Sequence, residues 1–122
     1  MESHGELLSA VTLFTADMAA SVAFYEVLGL ETMYGGTDFS FTTLKIADEQ
    51  FLNLQRDQSW LKPDRVWGRF IVWVDDVDAI YESFLKAGYA PLMKPSDASW
   101  GERYFHIVDP AGHEVSIARR SS

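Results

Sequence analysis

The chain has 122 residues, enough for one domain with a modest core, and it lacks cysteine, which excludes disulfides, thiolate metal ligands and thiol nucleophiles. Its 18 acidic and 10 basic residues give a net charge of −8, which argues against a nucleic-acid partner and favours a cationic ligand or simply solubility. No run of about 18 apolar residues and no signal-peptide pattern is visible, so we expect no membrane partner and a cytoplasmic location.

The first half of the sequence predicts a strand, a helix and three further strands. Apolar alternation favours the first strand over 8–15, and Asp17 is a candidate N-cap for a helix that Gly29 ends. The three further strands are predicted over 30–34, 39–46 and 50–55. The segment 56–67 is polar, contains a proline and lacks periodicity, which indicates a linker.

The second half restarts the same order of elements. A strand is predicted over 69–75, followed by a helix that Asp76 caps and Gly88 ends. The remaining elements are a short strand over 89–93, a loop over 95–101 and a β-hairpin with strands over 103–108 and 114–118. The sequence Asp-Pro-Ala-Gly at 109–112 is typical of a type I turn and joins the two hairpin strands.

The two halves therefore repeat one another. The N-cap candidates Asp17 and Asp76 are 59 residues apart, and so are Gly29 and Gly88. Because the second half has a longer loop, the last strands of the two halves are offset by 63 residues instead. Self-similarity at a fixed offset indicates a repeated supersecondary unit that cannot cover its own sheet alone.

The repeat predicts an α+β fold built from two βαβββ modules. We expect the modules to form a curved mixed sheet with the helices outside and a concave cleft between them. The predicted organisation is a single domain over 1–122, with the first module at 7–56, the linker at 57–67 and the second module at 68–119.

Three stretches carry a family resemblance: AVTLFTADMAASVAFYEVLGL at 10–30, VDDVDAIYESFLKAG at 74–88 and YFHIVDPAGHEVSIA at 104–118. Together with the doubled βαβββ plan, they resemble the glyoxalase / bleomycin resistance / extradiol dioxygenase superfamily, also called vicinal oxygen chelate. The likeness covers nearly the whole chain. The WGERYF step at 100–105 is closer to the bleomycin-resistance branch than to the enzymes.

The resemblance implies that the enzymes hold a divalent metal with His and Glu side chains, at four positions that fall here on Ala10, Asn53, Arg69 and Ser116. Alanine has no donor atom, and an arginine stays charged and does not coordinate. Asparagine and serine are weak ligands without a carboxylate or imidazole beside them. Only one histidine, His106, is expected to face the cleft, so we expect no metal and no other cofactor.

Strand alternation predicts which side chains line the cleft. The candidates carry an aromatic ring or a polar group on the face away from the helices, or lie in loops near the cleft mouth. They are Phe14, Phe39, Phe41, Phe51, Asn53, Trp60, Arg69, Trp73, Trp100, Tyr104, His106 and Ser116. Each has a structural alternative: the rings fill a core or a dimer interface, Trp60 and Trp100 plug gaps in packing, and Arg69 pairs with Glu114.

These features favour a metal-free protein that binds and sequesters a small, planar aromatic, antibiotic-like molecule and so confers resistance, as the resemblance implies. We expect a homodimer and name no catalytic residue, which leaves open whether the protein is an enzyme. One alternative is a glyoxalase- or dioxygenase-type enzyme of the same fold that uses a divalent metal. A second alternative is an interaction module whose cleft is occluded.

Overall fold

The computed structural model describes residues 2–120, and the described chain follows the βαβββ order twice. The elements are β1 (Ala10–Thr15), α1 (Met18–Val27), β2 (Glu31–Tyr34), β3 (Phe41–Ala47), β4 (Gln50–Arg56), β5 (Arg69–Trp73), α2 (Val77–Lys86), β6 (Ser96–Asp97), β7 (Glu102–Val108) and β8 (Glu114–Arg120). This order confirms the predicted α+β class and the two βαβββ modules. Neither helix is long and apolar enough to cross a membrane.

Each module forms its own four-stranded mixed sheet. The strand orders are β1-β4-β3-β2 in the first sheet and β5-β8-β7-β6 in the second. The first and last strands of each module, β1 with β4 and β5 with β8, run parallel, whereas the other pairs are antiparallel. Within residues 2–120 no ladder joins the two sheets, so β1 and β5 are both edge strands.

The repeat extends to the pairing register. In the first sheet Asn53 pairs with Thr12 on one side and Thr43 on the other. The asparagine accepts a hydrogen bond from Thr43 at 2.9 Å and donates one to Thr12 at 3.2 Å. The equivalent row of the second sheet consists of Ile71, Ser116 and His106. Because the two registers match, equivalent positions of the modules carry different side chains on the same framework.

The helix boundaries agree with the predicted caps. Asp17 and Asp76 each accept, through one carboxylate oxygen, the backbone N–H three residues further on at 3.0 Å. Gly29 and Gly88 follow the helices with φ of 97° and 91°, a left-handed conformation that favours glycine. The signals at both ends of both helices are local in sequence, which is why the sequence alone locates them.

The two modules share one core. Phe24 of α1 and Phe84 of α2 are fully buried and their rings lie 4.9 Å apart. Tyr25, also on α1, donates a 2.6 Å hydrogen bond to Asp109 at the β7–β8 turn. Burial, reinforced by the carboxylate, raises the pKa of Tyr25, so the phenol keeps the proton that it donates. This bond ties the helix of the first module to the hairpin of the second.

Two strand predictions are wrong. Residues 89–93 are not a strand; Pro91 lies within this segment and Pro95 follows it, and proline lacks the N–H that a ladder needs. Only one backbone bond joins the segment to β7, from the Leu92 N–H to the His106 carbonyl, and β6 lies instead in the predicted loop. Likewise β3 begins two residues later than predicted, which leaves Phe39 in the turn before it.

The connection between β4 and β5 (residues 57–68) folds onto the β7–β8 turn. The indole N–H of Trp60 donates to the carbonyl of Ala111 at 2.9 Å, and that of Trp67 donates to Nδ1 of His113 at 2.8 Å. The other ring nitrogen of His113 lies 2.9 Å from the Phe14 carbonyl of β1. Buried His113 therefore links three segments: the connection, the turn and the first strand.

Candidate functional site

An apolar chamber of about 500 Å³ opens between the edge strands β1 and β5. Its walls include the apolar side chains Leu8, Ala10, Phe51, Trp67, Ile71 and Trp73. Arg69 is the one charged residue among its lining residues. Trp67, Ile71 and Trp73 are 54, 57 and 52 % exposed, so the walls are large apolar side chains that the fold leaves accessible. Clustered exposure of this kind marks a binding surface.

Trp73 has one face already covered. The guanidinium carbon of Arg120, at the end of β8, lies 5.2 Å from the centre of the Trp73 ring, within the range of a cation–π contact. A flat ligand that stacks on this indole therefore uses the opposite face.

A smaller chamber of about 140 Å³ adjoins the apolar one on the second sheet, and we call it the polar chamber because half of its lining residues have charged or polar side chains. Its walls include Trp100, Tyr104, His106 and Ser116. The Trp100 ring stacks on Tyr104 at 6.0 Å, and Tyr104 contacts His106 at 5.1 Å. Arg69 and Ile71 line both chambers, so the two cavities share a wall.

Arg69 is fixed by an ion pair. Its Nε lies 2.5 Å from Oε2 of Glu114, its cross-strand partner on β8, which is the structural alternative that the sequence analysis gave for this arginine. The glutamate side chain is 10 % exposed and the arginine side chain 50 %. The carboxylate is thus held beneath an accessible guanidinium, and the pair gives the shared wall a defined cation.

His106 lies in surroundings that disfavour its protonated form. Its Nδ1 lies 2.7 Å from the hydroxyl of buried Ser116, the residue opposite it on β8. Burial and the charge of Arg69 lower the pKa of His106, and Glu114 opposes them only in part. Burial has the largest effect on this pKa, because a charged imidazole is poorly solvated at this position.

The model of the Glyoxalase/Bleomycin resistance protein/Dioxygenase superfamily matches residues 7–117 of this sequence. The chain belongs to this superfamily. A stretch of 46 residues, 38 % of the chain, is 39 % identical to an uncharacterised protein of Mycobacterium bovis, but spans only 30 % of that protein. The family assignment therefore rests on the whole-domain match and not on this short stretch.

Solved structures share the superfamily fold over almost the full chain. A bleomycin-binding protein complexed with bleomycin has a TM-score of 0.71 at 22 % identity, covering 96 % of this chain and 100 % of that one. A lactoylglutathione lyase from Agrobacterium tumefaciens has a TM-score of 0.73 at 23 % identity, covering 95 % of each chain. A binding protein and an enzyme are thus about equally similar, and the likeness speaks to the fold alone.

The side chains at the superfamily's four metal positions do not fit a divalent metal. Ala10 offers no donor, and Arg69 places a cation there that Glu114 already neutralises. The amide of Asn53 and the hydroxyl of Ser116 are engaged with neighbouring side chains. Among residues 2–120 no three His, Asp or Glu side chains come together in a metal-binding group. We therefore derive no chemistry through a metal.

The structure brings some of the predicted ligand-binding residues together and separates others. The apolar chamber includes Phe51, Arg69 and Trp73; the polar chamber includes Arg69, Trp100, Tyr104, His106 and Ser116. Phe14 and Trp60 stack at 6.0 Å beside His113, in a groove of their own. Three further predicted residues line neither chamber. Asn53 lies between Thr12 and Thr43, and Phe41 of β3 pairs with Gln55 of β4. Phe39 contacts Tyr34.

Two apolar-chamber residues, Ile71 and Trp67, are absent from the predicted ligand-binding set although the sequence points to both. Ile71 lies between Arg69 and Trp73 on the same face of β5, where strand alternation places it. Trp67 lies in the connection near the cleft mouth, and its exact position depends on the bond to His113, 46 residues away. Arg120, beside the chamber, was missed; it follows from extending the β8 alternation two residues beyond the predicted strand end.

Proposed function

We propose that this protein binds and sequesters a small planar aromatic molecule, antibiotic-like in size, and confers resistance to it without metal-dependent turnover. The proposed binding site is the apolar chamber, with Trp73 as the central contact. The proposal includes a cytoplasmic location and a homodimeric state. The bleomycin-binding protein of similar fold is a precedent for binding of a small molecule and no more.

The observation that carries the proposal is the apolar chamber itself. Its volume of about 500 Å³ falls within the range of small-molecule sites, which are mostly apolar with a few orienting polar groups. Here the walls are accessible rings and Arg69 is the orienting group. Offset stacking contributes roughly 0.5–1.5 kcal/mol per aromatic pair beyond area burial, so a flat ligand gains most from Trp73.

The first experiment is a thermal-shift screen of planar aromatic compounds against the purified protein. A ligand at about 100 times its Kd stabilises the folded state by about 2.7 kcal/mol, which appears as a raised Tm. We expect hits among flat ring systems and none among aliphatic compounds of equal size. A screen in which no flat compound raises the Tm contradicts the proposal and favours the occluded interaction module.

The second experiment tests the site with Trp73→Ala. We expect this variant to bind the best hit about tenfold or more weakly while remaining folded, because the stacking surface and its apolar area are lost. Tyr34→Ala is the matched control: Tyr34 is an exposed aromatic residue on β2 that lines neither chamber, so its removal should leave the Kd unchanged. Equal affinity of Trp73→Ala and the parent would move the site away from β5.

A further inference from the structure

We propose that the ligand is an aromatic carboxylate, whose ring occupies the apolar chamber while its acid group reaches Arg69 and the polar chamber. This inference rests on the proposed function and adds the chemical class of the ligand. It runs against the expectation, drawn from the net charge of −8, that the site selects a cation.

The first support is the shared wall. Arg69 and Ile71 are the residues that line both chambers, so a molecule that occupies both chambers lies beside Arg69 in each of them. The apolar chamber has room for a ring system, whereas the polar chamber, at about 140 Å³, has room for a small polar group. The ligand that matches this pair of cavities has one flat apolar part and one compact polar end.

The second support is the way Arg69 is held. Glu114 engages the Nε of the guanidinium, and within residues 2–120 the two terminal nitrogens have no hydrogen-bond partner. An arginine carries five N–H donors in a planar fork that matches a carboxylate in a bidentate geometry. The buried glutamate thus orients the fork and leaves its accessible end for an acid group.

The third support is the distribution of charge. The charged residues that line the chambers are Arg69 and Glu102, so the acidic surplus of the chain lies outside them. The Glu102 carboxylate accepts the indole N–H of Trp100 at 2.8 Å, and the residue pairs across the β7–β8 ladder with Arg120. Arg69 is the one arginine or lysine among the residues that line the two chambers, and an acid group would bind the end of its guanidinium that Glu114 does not contact.

The experiment compares three probes with the same ring system and different charge: 2-naphthoate, 2-naphthamide and 2-naphthylmethylammonium. Binding to the full chain is measured by isothermal titration calorimetry. Charge-assisted hydrogen bonds to a fixed guanidinium are the strong ones, so we expect the acid to bind at least about tenfold more tightly than the amide. The ammonium probe should bind most weakly. This ranking needs no variant and does not depend on the folding of one.

The matched variant is the double substitution Arg69→Gln with Glu114→Gln. Replacing both partners removes the cation without leaving a buried carboxylate alone, which a single Arg69 substitution would do. We expect the variant to lose the preference for the acid, so that the acid and the amide bind it with equal affinity. A circular-dichroism melt verifies that the variant is folded.

The outcomes separate the two proposals. If the acid and the amide bind the parent equally, or the ammonium binds best, the carboxylate inference is overturned while aromatic binding stands. If the double variant keeps the preference for the acid, Arg69 is not the recognition group. If all three probes fail and the wider screen also yields nothing, the proposed function falls together with the inference.

Discussion

The pKa of His106 depends on the residues around it and not only on its being a histidine. Its imidazole contacts Tyr104, bonds to Ser116 and lies in the field of Arg69. The folded state therefore disfavours the protonated ring, although the chain as a whole is acidic. A histidine with a lowered pKa couples folding to pH in a definite direction.

We predict that this coupling appears as a loss of stability in mild acid. As the pH falls through the ordinary histidine value of 6.5, the unfolded chain takes up a proton that the folded His106 refuses, so unfolding is favoured until the lowered folded-state pKa is passed. Above that ordinary value the contribution is absent. Denaturant unfolding of the parent and of His106→Asn, at several pH values between about 8 and 5, measures the difference.

In that series the parent should lose more of its free energy of unfolding than His106→Asn between neutral pH and mild acid. His4 and His113 are present in both proteins, so the comparison isolates the change at His106. Parallel pH profiles for the two proteins would show that His106 titrates alike in the folded and unfolded chains.

Between elements, the decisive contact is that of the β4–β5 connection with the β7–β8 turn. Gly112 in this turn has φ of 96°, and a Cβ added there would lie 2.9 Å from Cδ of Pro63 in the connection. Trp60 and Trp67 bond to the residues on either side of this glycine, Ala111 and His113. The β4–β5 connection therefore packs directly against the turn at Gly112, where there is no room for a Cβ atom.

We predict that Gly112→Ala is costlier than the same change at Gly88. Both glycines have left-handed backbones, with φ of 96° and 91°, so the conformational cost of roughly 1–2 kcal/mol is common to them. Nothing lies within 4 Å of a Cβ at Gly88, whereas Gly112 has the Pro63 collision in addition. Overpacking typically adds about 1–3 kcal/mol, which urea unfolding of the two variants resolves. Equal losses of unfolding free energy would mean that the β4–β5 connection moves away from the added Cβ without destabilising the fold.

Elements that depend on local signals were predictable from the sequence, and those that depend on remote partners were not. Asp17 and Gly29 set the limits of α1 through contacts within a few residues. β6, in contrast, exists only because Ser96 pairs with Tyr104, and its two residues carry no strand pattern. The predicted strand at 89–93 had the apolar residues but also had Pro91, which interrupts pairing.

The candidate site also combines features that the local sequence predicts with features that depend on remote partners. Alternation correctly aligned Arg69 with Trp73 and Tyr104 with His106, because a strand face is a local property. The division into two chambers was out of reach, since it depends on the gap between β1 and β5 and on how the connection carries Trp67 to it. Phe39 was misplaced because β3 begins at Phe41, two residues later than predicted. Turn residues in the sequence show that a loop is present but do not fix the residue at which the next strand begins.

For the molecule as a whole, the exposed apolar surface predicts a homodimer. Beyond the chamber walls, large apolar side chains such as Met33, Tyr34, Leu61 and Leu92 are more than half exposed. A stable interface buries about 1,200–2,000 Å² in total, and exposed apolar surface of this kind favours association with a second copy. Sedimentation equilibrium at micromolar concentration should give twice the chain mass. A monomer at that concentration would contradict the prediction.

We also predict that the purified protein carries no stoichiometric zinc, nickel, iron or manganese. The reason is the chemistry of Ala10, Asn53, Arg69 and Ser116, which together offer neither a carboxylate nor an imidazole. Elemental analysis should find well under one metal ion per chain, and a chelator should leave the Tm unchanged. One equivalent of metal per chain would instead support the enzymatic alternative, with ligands at other positions.

The matched rows of the two sheets have a consequence for how such a protein diversifies. Backbone ladders hold the register, so Asn53 and Ser116 are free to change without moving a strand. Two identical modules would present the same row twice and suit a molecule that is alike at both ends. The two rows of this chain differ instead: the first carries the amide of Asn53, and the second carries the hydroxyl of Ser116 and the imidazole of His106. The two halves of the site therefore differ chemically, and a ligand whose two ends differ has one preferred orientation in it.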